Sequence, residues 1–260
     1  MLTPLIPLLL SLAPPDAAPP ANVTSSPPKS PAAPAARSDF TTEGMDGLEA
    51  AQRDQILTLL AAAGFPHGPL LGSLWHRREK TYLVAAVDAS RSDEPPRLHV
   101  VAFDLSGPSV RRLASSEGPF ELGRDDKLRG FDFAAYRLTT KEYAFGLRYK
   151  RWRGYAGGGA SLEGVILFRL HGQVIDEILH TPTSYEADIA GDWHEDQTRD
   201  HDESSGNAFI IVRKHKTGGY FDWVKKVEGG RAVTLVWNGE CYVMNGRDPL
   251  VNRDLEIFDD

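Results

Sequence analysis

The sequence predicts an all-β protein, an antiparallel meander or β-sandwich of about ten strands with one short N-terminal helix, on three observations. From Trp75 onward, short runs rich in Val, Ile, Phe, Tyr and Thr are divided by Gly, Pro, Asn and Asp. Several of the divisions are tight-turn dipeptides, and short turns oblige the strands they join to run antiparallel. One stretch alone, before Trp75, repeats its apolar residues with a helical period.

Residues 1–39 form the first segment. The apolar run MLTPLIPLLLSLA, residues 1–13, is followed by Pro-, Ala- and Ser-rich sequence up to Arg37, a pattern that resembles an export signal and a tether. Ser11-Leu12-Ala13 supplies the cleavage site, although no Lys or Arg precedes the run and Pro4 and Pro7 interrupt it. The expected location is periplasmic or secreted. No later stretch approaches the ~18–20 consecutive apolar residues of a spanning helix, so no membrane span is expected in the mature protein. Asn22-Val23-Thr24 matches a glycosylation acceptor within this leader.

Residues 40–72 carry the helical segment. In TTEGMDGLEAAQRDQILTLLAAAGFPHG, Leu48, Gln52, Ile56, Leu59 and Leu60 return to one face, and Gly64 and Pro66 are stop signals. Its apolar face is expected to cover an end or edge of the β-domain, residues 73–252, which an acidic tail, 253–260, follows. The strand runs extend from TYLVAAVDA through EYAFGLRYKRW and LEGVILFRL to AVTLVW and ECYVM. Asn238-Gly239 in VWNGECY predicts a two-residue hairpin with positive φ at both turn positions, and His171-Gly172, Gly218-Gly219 and Gly229-Gly230 repeat the idea. A strand followed by a strand plus hairpin recurs three times, but the residue identities do not repeat and no propeller signature is present.

The formal net charge is −7, and eight acids against Arg199 within residues 186–203 account for it. The remainder is near neutral, so the sequence lacks the basic excess of a generic nucleic-acid binder. Cys241 is the only cysteine, which excludes an intrachain disulfide; within ECYVM it reads as a small buried side chain rather than a nucleophile. No GxSxG, GxxxxGK[ST] or HExxH motif occurs, and the sequence points away from an enzyme.

Two stretches carry candidate residues. In GDWHEDQTRDHDESSGN, residues 191–207, Trp193, Asp196, Asp200 and Asp202 suit an acidic contact surface, with Trp193 as an anchor. Asp192, His194 and His201 are ligand types for a divalent metal, the one cofactor the sequence suggests, although the zinc and calcium spacings are not met. The same stretch also reads as a solvated hairpin connection. In LRYKRWRGYAGGGAS, residues 147–161, Arg148, Arg151 and Arg153 interleave with Trp152 and Tyr155, a pattern able to grip an anionic or glycan ligand. The two stretches could instead pair with each other. The expectation is an exported non-enzymatic domain that binds a basic protein or a cell-envelope glycan through both. A metal-dependent hydrolase and a structural domain without a dedicated site are the alternatives.

Overall fold

The computed structural model describes residues 45–250 except 66–68, 90–96, 121, 124–125, 156 and 197. The expected leader, its glycosylation acceptor and the acidic tail lie outside the described residues. After a 3₁₀ turn, Met45–Gly47, the chain forms α1 (Ala50–Ala62) and twelve strands. These are β1 (Pro69–Arg77), β2 (Lys80–Asp88), β3 (Leu98–Asp104), β4 (Arg111–Ser116), β5 (Asp126–Arg137) and β6 (Tyr143–Tyr155). They continue as β7 (Gly158–His171), β8 (Val174–Trp193), β9 (Arg199–Thr217), β10 (Tyr220–Val227), β11 (Ala232–Trp237) and β12 (Tyr242–Met244).

Among the described residues the architecture is all-β with one helix, and the strands number twelve rather than about ten. β1 was hidden because Leu70, Leu71, Leu74 and Trp75 recur at three and four residues, a helical period that pairing with β2 overrides. Consecutive strands pair antiparallel in three four-stranded meanders, β1–β4, β5–β8 and β9–β12, the last two continuous through the β8–β9 pairing. The sheet is mixed rather than wholly antiparallel: β4 runs parallel to β8 over Ser115–Val174 and Ser116–Ile175. A parallel pair needs a long crossover, and here the whole β5–β7 excursion provides it.

The β5–β8 meander is the central layer. On β6, Phe145, Leu147 and Tyr149 point to one core with Ile166 and Phe168 of β7, where Trp75, Val84, Val100 and Ala102 of the first meander meet them. Alternate residues Ala144 on β6 and Val165 and Leu167 on β7 point the other way, to Trp223, Leu235, Trp237 and Tyr242 of the third meander. Gly146 is needed on that side, because a Cβ there would lie 2.8 Å from Val165 Cγ2. Burying each of these large side chains contributes about 1.5–3 kcal/mol, so the two cores hold the three meanders as one stack.

The helix covers a face of the first meander rather than an end or edge. Leu48, Ile56 and Leu60 pack on Leu83, Ala85, Val87, Val101 and Phe103. Covered on both sides, β2 and β3 read as nearly continuous apolar runs. Among the described residues no helix is long and apolar enough to cross a membrane.

Turn chemistry is as expected at Gly218-Gly219, both at positive φ, but not at Asn238-Gly239. There Trp237 pairs with Tyr242, leaving a four-residue loop in which Asn238 Oδ1 accepts from the amides of Glu240 and Cys241. The Asn side chain makes the turn that its backbone was expected to make. Cys241 therefore sits half-buried in this loop, not buried in a strand.

A lysine is fully buried between β10, β8 and the segment that follows β12. Lys225 of β10 is 0% exposed, and its Nζ donates to Asp248 Oδ2 at 2.6 Å and to Thr181 Oγ1 at 2.8 Å. Burial pushes the Lys225 ammonium below its ordinary pKa, while Asp248 pulls it back. Removing one partner strands the other charge. Asp248→Ala should lower unfolding free energy by about 3–5 kcal/mol, while the double change Lys225→Met, Asp248→Leu should recover most of it; denaturant unfolding of the three proteins checks this.

Candidate functional site

The candidate site arises from a mismatch of lengths. β8 and β9 have 20 and 19 residues, and β6 and β7 have 13 and 14, whereas β1–β4 have 9, 9, 7 and 6. At about 3.3 Å per residue the long strands outrun the sheets that cover them. The segment 191–207 is thus largely the end of a paired β8–β9 ribbon rather than a loop, with Ser184–Ala190 in register with Asn207–His201 and Trp193 opposite Arg199.

On this overhang the pleat separates two faces. Ala160, Leu162, Tyr185 and Ala187 turn to one side and pack with Ala208 and Leu250. The other side carries a cross-strand row of Trp152, Ser161, Glu186 and Ser205, beside a second row of Gly159, Asp188 and Glu203. Together they line a shallow concavity of about 800 Å³.

Trp152 is 63% exposed yet held flat. A Cβ on Gly154 would lie 2.2 Å from its Cη2, and one on Gly159 would lie 3.4 Å from its Cζ2. Bare glycine backbone on two neighbouring strands therefore seats the indole against the sheet, with one ring face outward. Covering glycine with an aromatic ring also stabilises an edge, so the seat has a structural use as well. Around the indole, Lys150 faces Glu163 at 3.8 Å and His201 Nδ1 lies 2.6 Å from Asp188 Oδ1. Glu186 and Glu203 are exposed. Further along the ribbon Trp193, 68% exposed, has the Arg199 guanidinium 5.3 Å from its ring centroid. Arg199 is fixed from behind by Nε donating to Gly191 O at 2.7 Å. Residues 199, 201, 203 and 205 of β9 alternate onto one side, so both exposed tryptophans belong to the same polar face.

The other expected site residues divide. Arg148, Arg151 and Arg153 do not form one grip, because strand alternation sends Arg148 to the side of Trp152 and the other two to the opposite side. Arg148 donates through Nε and Nη2 to Asp132 Oδ2, which also accepts from the Tyr136 hydroxyl. Arg151 makes a two-pronged pair with Asp126, a carboxylate 1% exposed. These guanidiniums close on β5 and not on the acidic ribbon. Tyr155 pairs with Gly158 at the strand end, and its side chain lies outside the described residues.

Asp196 accepts from the amide and hydroxyl of Thr198 in the ribbon's turn, bonds that hold its carboxyl below the ordinary range. Asp200 and Asp202 lie on the side of the ribbon away from Trp152. His194 Nε2 meets Asp200 Oδ1 at 2.8 Å, whereas His201 meets Asp188 on the opposite face. Asp192, His194 and His201 are therefore not brought into one ligand set. No group of three or more His, Cys, Asp or Glu side chains able to hold a metal ion occurs among the described residues.

Sequence reasoning missed Ser161, Glu186, Asp188, Glu203 and Ser205 as partners of Trp152. It also missed a group at the rim of the first core, where His180 Nε2 lies 2.9 Å from the Tyr149 hydroxyl. Burial pushes that hydroxyl up to about 12 and His180 down from its ordinary 6.5. No family model, curated protein or solved structure matches the chain.

Two outcomes follow from this geometry. Gly154→Ala should force the indole off its seat, shifting Trp152 emission to longer wavelength while unfolding free energy changes by less than about 1 kcal/mol; comparison with Trp152→Phe isolates that indole. Because the folded His180 resists protonation, acidification through its unfolded value near 6.5 must cost stability, and the loss is complete only below the depressed folded value. From pH 7.5 to 5, thermal midpoints should fall further in the native protein than in His180→Gln.

Proposed function

We propose that the chain is an exported, non-enzymatic binding domain whose β6–β9 polar face takes a glycan of the cell envelope. The observation that carries this reading is Trp152 seated flat on Gly154 and Gly159 beside Ser161, Glu186, Glu203 and Ser205. A sugar ring presents an apolar C–H face and a rim of hydroxyls. An outward indole face matches the first by apolar contact, and carboxylate and serine oxygens match the second by hydrogen bonding. The site is open and runs across four strands, from Trp152 on β6 to Ser205 on β9, which suits a chain rather than a compact ligand, and Trp193 with Arg199 offers a further contact on the same face. Export rests on the apolar run and the Pro/Ala-rich stretch of residues 1–37.

A basic protein is the second reading, favoured by the exposed carboxylates Glu186 and Glu203 beside an indole on which a guanidinium could stack. Salt separates the two. Binding to isolated envelope polysaccharide should persist as ionic strength rises, whereas capture of a basic protein by these carboxylates should weaken steeply.

Trp152→Ala should weaken polysaccharide binding by about tenfold or more, and Glu186→Gln by a smaller factor, with thermal midpoints close to that of the native protein. Titration calorimetry against purified envelope polysaccharide measures both. Native affinity in Trp152→Ala would remove the basis of the glycan reading.

A further inference from the structure

We propose a second binding site at the opposite end of β6, a cleft that takes an organic anion, a carboxylate or phosphate monoester, bearing a small apolar group. It lies about 30 Å along the strand from Trp152, nine residues away at the rise of an extended chain, and its ligand is of a different class from the glycan.

Two adjoining spaces make the cleft. The inner one is a slot of about 90 Å³ lined by Trp75, Tyr82, Ala102, Leu113, Tyr143 and Leu170, with Arg77, Lys141 and Glu142 completing the lining. The outer one, about 530 Å³, is bounded by Arg77, Arg78, Glu79, Lys80, Tyr82 and Lys141. Arg77, Tyr82 and Lys141 border both, so a ligand whose anionic group meets the cations has its apolar end directed at the slot. Apolar walls with a few convergent polar groups are the usual construction of a small-molecule site.

The cations are arranged for an external partner. Arg77, Arg78, Lys80 and Lys141 come from two hairpin turns, β1–β2 and β5–β6, and Arg137 stands beside Tyr143. Among the described residues none of the five has a carboxylate at ion-pair distance, whereas Arg148, Arg151 and Lys225 each have one. Arg77 is pre-set: Nη2 donates to Lys141 O at 2.8 Å, and the guanidinium lies 4.5 Å from the Tyr143 ring centroid and 5.6 Å from that of Trp75. A guanidinium carries five N–H donors, and this carbonyl uses one. Planar, pre-oriented donors of this kind match carboxylate and phosphate oxygens.

Two further observations agree. The Tyr143 hydroxyl is held below its ordinary pKa, first by the hydrogen bond from Arg137 and then by the charges of Arg137, Arg77 and Arg78, so the cleft mouth sits in a positive field. Arg78 is the one non-glycine residue at positive φ among the described residues, with φ 57° in the turn that borders the cleft. Glycine or asparagine suits that backbone better, yet the turn carries a guanidinium.

Titration calorimetry of the full chain with phenyl phosphate tests the proposal, with inorganic phosphate and phenol as half-probes. Phenyl phosphate should bind saturably and at least about tenfold more tightly than either half-probe. Lys141→Gln, an exposed change that leaves the fold intact, should weaken it by about tenfold, and Arg77→Gln by more. Leu113→Phe, which fills the slot, should weaken phenyl phosphate while leaving inorganic phosphate unchanged. Arg231→Gln, at the β10–β11 turn, controls for overall charge. Absence of saturable binding, equal affinity for phosphate and phenyl phosphate, or native affinity in Lys141→Gln would each overturn the proposal.

Discussion

The β5–β8 sheet has an apolar neighbour on each face, and the rest of the molecule follows from that constraint. A strand covered on both sides cannot alternate apolar and polar residues, so GVILF on β7 is apolar and buried at successive positions. Two separate layers must then be supplied to cover it, and the first and third meanders do so. The central strands are longer than either cover. Where the covers stop, alternation returns, and serine, glutamate and tryptophan appear on the face that has lost its neighbour. The polar concavity is the uncovered remainder of a buried sheet.

Charge inside the stack obeys the same logic. Arg148 with Asp132 and Arg151 with Asp126 lie where β5 and β6 run side by side, Arg148 converging two donors on one carboxylate oxygen and Arg151 meeting both oxygens of its partner in a forked geometry. Such pairs do little more than offset their own desolvation, but a lone member would be costly. This is why the basic run of β6 does not act as a unit. Arg148 and Arg151 are committed to β5, and Lys150 and Trp152 are left on the face of the concavity.

The fold class was legible because most strands are bounded by turn residues and contain β-branched or aromatic side chains. β1 was not, since its leucines fall at helical spacing and only a partner strand decides the matter. The extent of β8 and β9 was also concealed: Asp, Glu, Ser and Gly have low strand propensity, yet cross-strand pairing carries them to Trp193 and from Arg199. Trp152 and Trp193 could be singled out by their chemistry. That they share a face with Glu186 and Ser205 depends on register between strands far apart in sequence, which no local pattern encodes. The cleft at Arg77 and Lys141 was invisible for the same reason, as its two turns lie more than sixty residues apart.

The short β4–β8 ladder has a consequence for synthesis. Ser115 and Ser116 lie in register with Val174 and Ile175, nearly sixty residues downstream, and the Ser115 amide donates to Gln173 O at 3.1 Å. As the chain leaves the ribosome, the first meander can assemble with its helix, but one of its edges and one of its greasy faces stay open until β5–β8 has emerged. During that interval the nascent polypeptide resembles half a sandwich, and its vulnerability to self-association is set by translation speed over those residues rather than by the strength of the finished structure.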